Sequence, residues 1–426
     1  MADHSTRAAA AQLRSSALSR RLVWLLAILL TAFVAVTTGC GSDTAGDSTT
    51  TIGSTGTSGS GDTTATSSGG GTVTTTNGSG GQLFPAAGQN NKWGFVDSAG
   101  AWVIEPQWDF VDSFSDGVAR VAVGEVKDAK WGYIDATGKE ITPPQYATAA
   151  TFNEGLAQVR TTADGKWGYV DTTGKLVIPE KFAQAREFSE GVAAVAEESG
   201  GKVGFIDKTG AYVIEPKFAG AGSFSEGLAA FSLERDGLWG YIDASGTVII
   251  EPTFVAVADF SEGYSVAGQA VEGKKISEQG GIAYGLIDKT GAWAAQPIYT
   301  AVASVSEGFA RVSITAEDGT TSGGFIDPTG KLVLSSKEWT PAGDFSEGLA
   351  LVVVGAKFGY IDTTGAYALP PLYDHAEPFK NGLARVIATG SDPAEIGYID
   401  KTGAIVIWNN PAKNPKWAEE TTSTTQ

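Results

Sequence analysis

One phrase, repeated with substitutions from about Lys92 to Trp408, limits what this chain can fold into more than any other feature. In its clearest copy it runs Lys166-Trp-Gly-Tyr-Val-Asp-Thr-Thr-Gly-Lys-Leu-Val-Ile-Pro179 and, after a polar interval, Phe188-Ser-Glu-Gly-Val-Ala-Ala-Val195. With the glycine of the first motif as marker, copies fall at Gly94, Gly132, Gly168, Gly204, Gly240, Gly285, Gly324, Gly359 and Gly397, spaced by 38, 36, 36, 36, 45, 39, 35 and 38 residues. A period of this size belongs to a repeat architecture, in which no unit shields its own apolar face and stability comes from stacking neighbours.

Within the unit, Trp-Gly-Tyr-Val-Asp alternates large apolar with small or polar residues and predicts a strand with one buried face. Asp-x-x-Gly follows, as in Asp171 to Gly174 and Asp243 to Gly246. The carboxylate caps such a turn and the glycine takes a positive φ. A β-branched run, Leu176-Val177-Ile178 or Tyr212-Val213-Ile214, predicts a second strand, ended by a proline such as Pro179, Pro216 or Pro252 that cannot continue a ladder. After a recurrent aromatic (Trp108, Tyr146, Phe182, Phe218, Phe254, Tyr299, Tyr373), Phe-Ser-Glu-Gly makes another turn and Leu-Ala-x-Val a third strand. The expected fold is all-β: tandem three-stranded meanders, with room for a short fourth strand near the middle aromatic. Eight units and a ninth hairpin, Gly397 to Ile407, close as a β-propeller or wind as an open β superhelix. Closure is favoured because it removes exposed sheet edges.

These residues resemble the WG (KWG) repeat family, named for the pair seen at Trp93-Gly94, Trp131-Gly132, Trp167-Gly168 and Trp239-Gly240. The remaining copies keep the glycine and vary its neighbour: Val203, Tyr284, Gly323, Phe358 and Ile396. The resemblance spans about three quarters of the chain. It implies an all-β repeat body of the kind found in bacterial surface proteins and lipoproteins, a binding or scaffold module with no defined reaction.

The flanks predict an address. Arg20 and Arg21 precede the uncharged run Leu22 to Val36, followed by Thr37-Thr38-Gly39-Cys40, the pattern of a secretory signal. Its end resembles a bacterial lipobox, with Thr37 where leucine is usual and Cys40 as the lipidated first residue. The alternative is an uncleaved signal anchor. Either reading puts the repeats outside the cytoplasm, on the cell surface or in the periplasm. The domains expected are therefore a lipoprotein signal (1–40), a Ser/Thr/Gly-rich tether (41–87), the repeat body (88–408) and a disordered tail (409–426). Some 45 tether residues reach on the order of 35 to 40 Å.

Composition narrows the chemistry. The net charge is −18, and the basic residues of the signal offset part of it, so the body is more acidic still. Such a body repels phosphate backbones, which excludes nucleic acid as a partner. Cys40 is the only cysteine and His375 the only histidine beyond the signal, so Ser/His/Asp, Cys/His and multi-histidine zinc sites lack their parts. No cofactor or metal is expected. The recurring acids Asp97, Asp135, Asp171, Asp207, Asp243, Asp288, Asp327, Asp362 and Asp400 occupy the Gly turns and read as structural.

A second acidic column is Asp116, Glu154, Glu190, Glu226, Glu262, Glu307 and Glu347, with Asn381 last. Stacked units place these acids along one face. That makes them either a surface for a cationic or polyhydroxy ligand or solvent-facing turn residues. The tryptophans pose a similar choice, sugar platform or core, and core is expected because large rings recurring on strands are mostly buried. Two loops break the period, Gly268 to Ile282 with Lys274 and Lys275, and Thr315 to Ser322. Loops that interrupt a repeat are places for partner contacts. The function expected is a membrane-tethered module that binds a protein or cell-envelope polymer. A carbohydrate-acting enzyme built on two carboxylates and a spacer without a ligand are the alternatives.

Overall fold

A computed structural model describes residues 82–88, 92–278, 280–315, 320–388 and 395–408. Cys40 with the signal, most of the expected tether and the expected tail from residue 409 lie outside the described residues. Every regular element among those described is a strand, and the strands form nine small antiparallel sheets.

Blade 1 holds β1 (Phe84–Ala87), β2 (Trp93–Val96) and β3 (Trp102–Trp108) in that order. Blade 2 holds β4 (Phe110–Val111), β5 (Val118–Val123), β6 (Lys130–Asp135) and β7 (Glu140–Tyr146). Seven further four-stranded sheets repeat the pattern over residues 148–182, 184–218, 220–254, 256–299, 301–335, 340–373 and 375–408.

The blade is thus out of phase with the sequence unit. Its first two strands come from the end of one unit and its last two from the start of the next. The reason is local: tight turns and short loops join the four strands, whereas Trp108 passes to Phe110 in a single step, and there the chain crosses to the next sheet. Counting from Trp-Gly therefore misses one blade. The first hairpin joins β1 to make blade 1, and the last hairpin completes blade 9. β1 also moves the start of the body from residue 88 back into the segment assigned to the tether.

Closure follows from contacts between the two ends. Phe84, Ala86 and Val96 of blade 1 form one buried cluster with Tyr398 and Ile407 of blade 9. The Phe84 and Tyr398 rings lie 5.4 Å apart, and the Tyr398 hydroxyl donates to the Pro85 carbonyl at 3.0 Å. The body is a closed nine-bladed β-propeller, and the open superhelix is ruled out. Large apolar side chains that remain exposed concentrate on the last strand of each sheet, for example Val103, Leu176, Val213, Ile249 and Leu332, which marks these edges as the outer rim.

The core lies between blades. The aromatic after the motif glycine is fully buried in Phe95, Tyr133, Tyr169, Phe205, Tyr241, Phe325 and Tyr360. Each packs against the Phe at the first turn of the next blade. Tyr133 meets Phe152 at 4.8 Å, Tyr169 meets Phe188 at 4.9 Å and Tyr241 meets Phe260 at 4.8 Å, all edge-on. Such pairs add about 0.5–1.5 kcal/mol each beyond their buried area.

The proline does not end its strand. The fourth strand of blade 3 runs Leu176–Phe182 straight through Pro179, and Tyr169 pairs with Ile178 while Trp167 pairs with Phe182. Two extra residues bulge outward between those pairs. The proline is tolerated because it sits in a bulge on an edge strand, where its missing N–H has no ladder partner to lose. The bulge also explains the motif glycine: a Cβ on Gly168 would sit 2.6 Å from the Ile178 carbonyl oxygen and 2.8 Å from the Glu180 nitrogen.

Candidate functional site

In a four-stranded meander the first and third connections emerge at one end and the second connection at the other. One face of the propeller therefore carries all the Ser-Glu-Gly and Asp-x-x-Gly turns. The opposite face carries the loops between second and third strands.

On the first face the turns are locked to one another. Ser189 and Val192 exchange backbone hydrogen bonds around Glu190 (φ 53°) and Gly191 (φ 83°), a two-residue hairpin with both central residues left-handed. That conformation favours Asn or Gly, yet Glu occupies it in six of the eight copies. The carboxylates show what compensates. Glu154 accepts from the backbone N–H of Glu190 (2.7 Å) and of Gly191 (2.9 Å) in the next blade, and Lys208 Nζ lies 3.2 Å away. Asp116 reaches Gly155, Glu190 reaches Gly227, Glu226 reaches Gly263, Glu262 reaches Glu307 and Gly308, Glu307 reaches Gly348, and Glu347 reaches Gly382. Serine hydroxyls add a parallel set of bonds, such as Ser189 to the Phe224 carbonyl at 2.6 Å and Ser225 to the Phe260 carbonyl at 2.7 Å.

The acids do stand at equivalent places along one face, as their spacing implies. Each carboxylate, however, is turned onto the N–H groups of the following turn. Sequence reasoning missed this clasp. Its signal was a long acid retained where backbone preference calls for Asn. We expect Glu154→Ala to lower stability by about 1 kcal/mol, since it removes a charged acceptor from two N–H groups. Lys208→Met should cost less than about 0.5 kcal/mol, because the pair is partly exposed, 45% at Lys208 and 31% at Glu154, and is screened by solvent. Equal losses in chemical denaturation would contradict the clasp.

The Asp column behaves as expected. Asp171 Oδ1 accepts from Thr173 Oγ1 (2.6 Å) and from the N–H groups of Thr173 and Lys175, and the other copies repeat this except Asp97, which has Ala99 at the hydroxyl position and accepts only the two N–H groups. The threonine hydroxyl bond, chiefly, holds the Asp171 carboxyl below its usual range. Among the described residues no group of three or more His, Cys, Asp or Glu is placed to hold a metal. His375 is half-buried, edge-on to the Phe358 ring at 5.7 Å, and burial lowers its pKa.

The tryptophans are neither core nor open platform. Trp93, Trp131, Trp167 and Trp239 are all half-buried. Arg120 covers the Trp131 ring at 4.2 Å and Arg160 covers Trp167 at 4.6 Å. The motif's anchor is the aromatic after the glycine.

First strands bring a further polar group together across blades 4 to 6. Ser223 Oγ donates to Glu187 at 2.7 Å, and Arg186 and Asp259 stand close by. Asp259 is open to solvent yet has protein on most sides. Burial raises its pKa, Arg186 opposes that and the Glu187 charge adds to it. A raised carboxyl favours the protonated fold, so its contribution is present below the unfolded value of 3.8 and is lost as pH rises through the folded value. Asp259→Asn should therefore raise the melting temperature at pH 7, with the gain disappearing below pH 3.8. A gain that persists at low pH would contradict this.

The opposite face is irregular. Most of its loops are six residues or so, but the second and third strands of blade 6, Tyr264–Ala270 and Ile282–Asp288, run seven residues where those of blade 5 run five. The hairpin therefore projects roughly 7 Å further, at about 3.4 Å per residue. At its tip Lys274, Lys275 and Ile276 are exposed. Blade 7 lacks the proline bulge: its fourth strand stops at Ser335, and a cleft of about 340 Å³ opens between Ile314, Ser322, Ser336 and Lys337. Trp339, buried, fills the usual aromatic position against Phe325. Val126, Leu233, Leu238 and Ile276 are exposed on these loops; on the described Ser-Glu-Gly and Asp-x-x-Gly turns themselves no large apolar side chain is exposed, although Leu176, Val248, Leu332 and Tyr367 are exposed just after the latter, where the outer strands begin.

A family model described as WG containing repeat matches residues 93–125, 131–166, 167–199, 204–234, 239–269, 284–315, 324–358 and 358–387. No curated protein matches the chain in sequence. Among solved structures, a eukaryotic initiation factor is 10% identical with a TM-score of 0.52, covering 77% of this chain and 96% of that one. Tricorn protease is 14% identical (TM-score 0.32, covering 74% and 41%). Virginiamycin B lyase from Staphylococcus aureus is 13% identical (TM-score 0.26, covering 69% and 91%). At these identities the first likeness bears on the fold alone and the other two carry no argument.

Proposed function

The chain belongs to the WG containing repeat family, and from that premise we propose that its propeller is a tethered extracytoplasmic interaction module that holds a protein or cell-envelope polymer against its loop face. The observation that carries this reading is the inequality of the two faces. One is committed to joining blades; the other bears the length variation, the blade 7 cleft and the exposed apolar residues, features expected of a contact surface. Cys40, as a lipidated residue, supplies the membrane anchor, and the Ser/Thr/Gly stretch holds the body clear of the surface. The acidic net charge keeps phosphate polymers away, while Lys274 and Lys275 offer the longest hairpin to an anionic group.

The test is site-specific crosslinking in cells producing the full chain. A photo-reactive residue in place of Lys275 should capture a discrete partner, and one in place of Thr209, on the clasped face, should not. Capture at both positions, or at neither, would overturn the assignment. Palmitate labelling that survives Cys40→Ala would overturn the anchor.

A further inference from the structure

An open sheet edge offers backbone N–H and C=O groups to any chain that can lie along it, and folds guard such edges with prolines, bulges and charges. The outer strands of blades 1 to 6 and of blade 8 each contain a proline. Each also breaks register twice, the second time at the bulge over the motif glycine. Glu105, Glu180, Glu215 and Glu251 add a charge to four of these strands. Blade 7 has none of the three guards there. Its outer strand, Leu332–Ser335, reads Leu-Val-Leu-Ser, and Leu334 and Ser335 pair with Phe325 and Gly324 in unbroken succession. Among the described residues it has a sheet neighbour on one side only, and Leu332 and Val333 are exposed. The outer strand of blade 9, Ile405–Trp408, is proline-free too, but Ile405 and Val406 are half-buried and Ile407 is buried.

The missing bulge leaves room beside this edge. In blade 3 the bulge backbone covers the motif glycine, with the Glu180 nitrogen 2.8 Å from where a Cβ would lie. Over Gly324 the nearest atoms are instead the Leu334 oxygen and the side chains of Leu332 and Ser335. The cleft of about 340 Å³ borders Gly324 and is walled by Val312, Ile314, Leu332 and Ser336. Lys337 also lines it, and this lysine makes no ion pair among the described residues.

We propose that the outer edge of blade 7 takes an extended segment of a partner protein as a fifth strand, which sets a large apolar side chain into the cleft and a carboxylate beside Lys337. This rests on the loop-face reading above and narrows its partner to a polypeptide. Backbone is the occupant because a strand edge presents N–H and C=O groups at about 3.4 Å per residue, a spacing that another peptide chain matches and a glycan does not. The entering side chain is apolar because Val312, Ile314 and Leu332 form the walls. An acid follows from the lysine without an ion pair. A second copy of this chain is disfavoured, since each carries a net charge of −18 and two would repel.

The probe is a set of labelled peptides, Thr-Val-Thr-Z-Thr-Glu-Val with Z as Phe, Leu or Ala, titrated against the full chain by fluorescence anisotropy. The Phe and Leu peptides should bind about tenfold more tightly than the Ala peptide, as burial of such a side chain gives. N-methylation of one alternate set of amides in the Phe peptide should abolish binding and of the other set should spare it, because only one set faces the edge. Ser335→Pro, which puts a proline where blade 3 has Pro179, should abolish binding and keep the melting temperature. Lys337→Glu should weaken binding about fivefold, the upper end for one exposed ion pair. No binding, equal binding of the Phe and Ala peptides, equal effects of the two methylated sets, binding that survives Ser335→Pro, or an affinity unchanged in Lys337→Glu would each overturn the proposal. A dimer of the free chain that Ser335→Pro dissociates would overturn it by assigning the edge to a second copy. Absence of partner capture at Lys275 with peptide binding intact would overturn the loop-face reading alone.

Discussion

Replacing Gly168 by valine is expected to lower stability by about 3 kcal/mol or to prevent folding, as overpacking against backbone does. The glycine lies beneath the proline bulge of its own blade, and a Cβ there would meet the Ile178 oxygen, the Glu180 nitrogen and the Pro179 carbonyl carbon within 2.9 Å. None of these is the movable end of a side chain. Gly191 supplies the control. It has φ 83° and nothing within 4 Å of an added methyl, so Gly191→Ala should cost only the left-handed strain, about 1 kcal/mol. Comparable losses at the two positions, measured by denaturant unfolding, would mean that the motif glycine serves conformation and not close approach.

Tyr241→Ala should cost about 3–5 kcal/mol, the range for emptying a buried aromatic site. The ring is fully buried and packs on Phe260, while its hydroxyl lies 2.7 Å from the Ala258 carbonyl and 2.6 Å from Ser265 Oγ. Tyr241→Phe keeps the ring and loses the hydroxyl, for about 1 kcal/mol. Because the ring bridges two blades, the alanine variant should also speed amide exchange in blade 6, residues 256–299. Faster exchange confined to blade 5 would place the cohesion within sheets and not between them.

Much of this fold was legible in the chain. The Asp171-x-x-Gly174 turn and the Leu176 to Ile178 run each reflect a local rule, and local rules can be read one segment at a time. The strand around Tyr169 was expected to bury one face, yet Tyr169 and Val170 are both fully buried, in two different cores, because a blade is packed on both sides. The blade boundary was not legible, because nothing in the composition near Trp108 distinguishes a step to the next sheet from a turn within one. Pro179 was misread as a terminator since a bulge on an edge strand depends on which strand lies outside. The clasp depended on distance: Glu154 and Gly191 are 37 residues apart and become neighbours only when the blades fan around an axis. The loop face shows the reverse. Its length variation at Gly268 to Ile282 was plain in the sequence, but that all such loops share one end of the ring follows only from strand order.

Ring closure underlies every assignment of faces, and a double-mutant cycle on Phe84 and Tyr398 tests it most directly. The two residues are 314 positions apart in the chain and touch only if blade 1 meets blade 9. With Phe84→Ala, Tyr398→Ala and the double variant measured by denaturant unfolding, a closed ring predicts a coupling of about 0.5–3 kcal/mol. Losses that add to within about 0.3 kcal/mol would contradict the propeller and point to an open array.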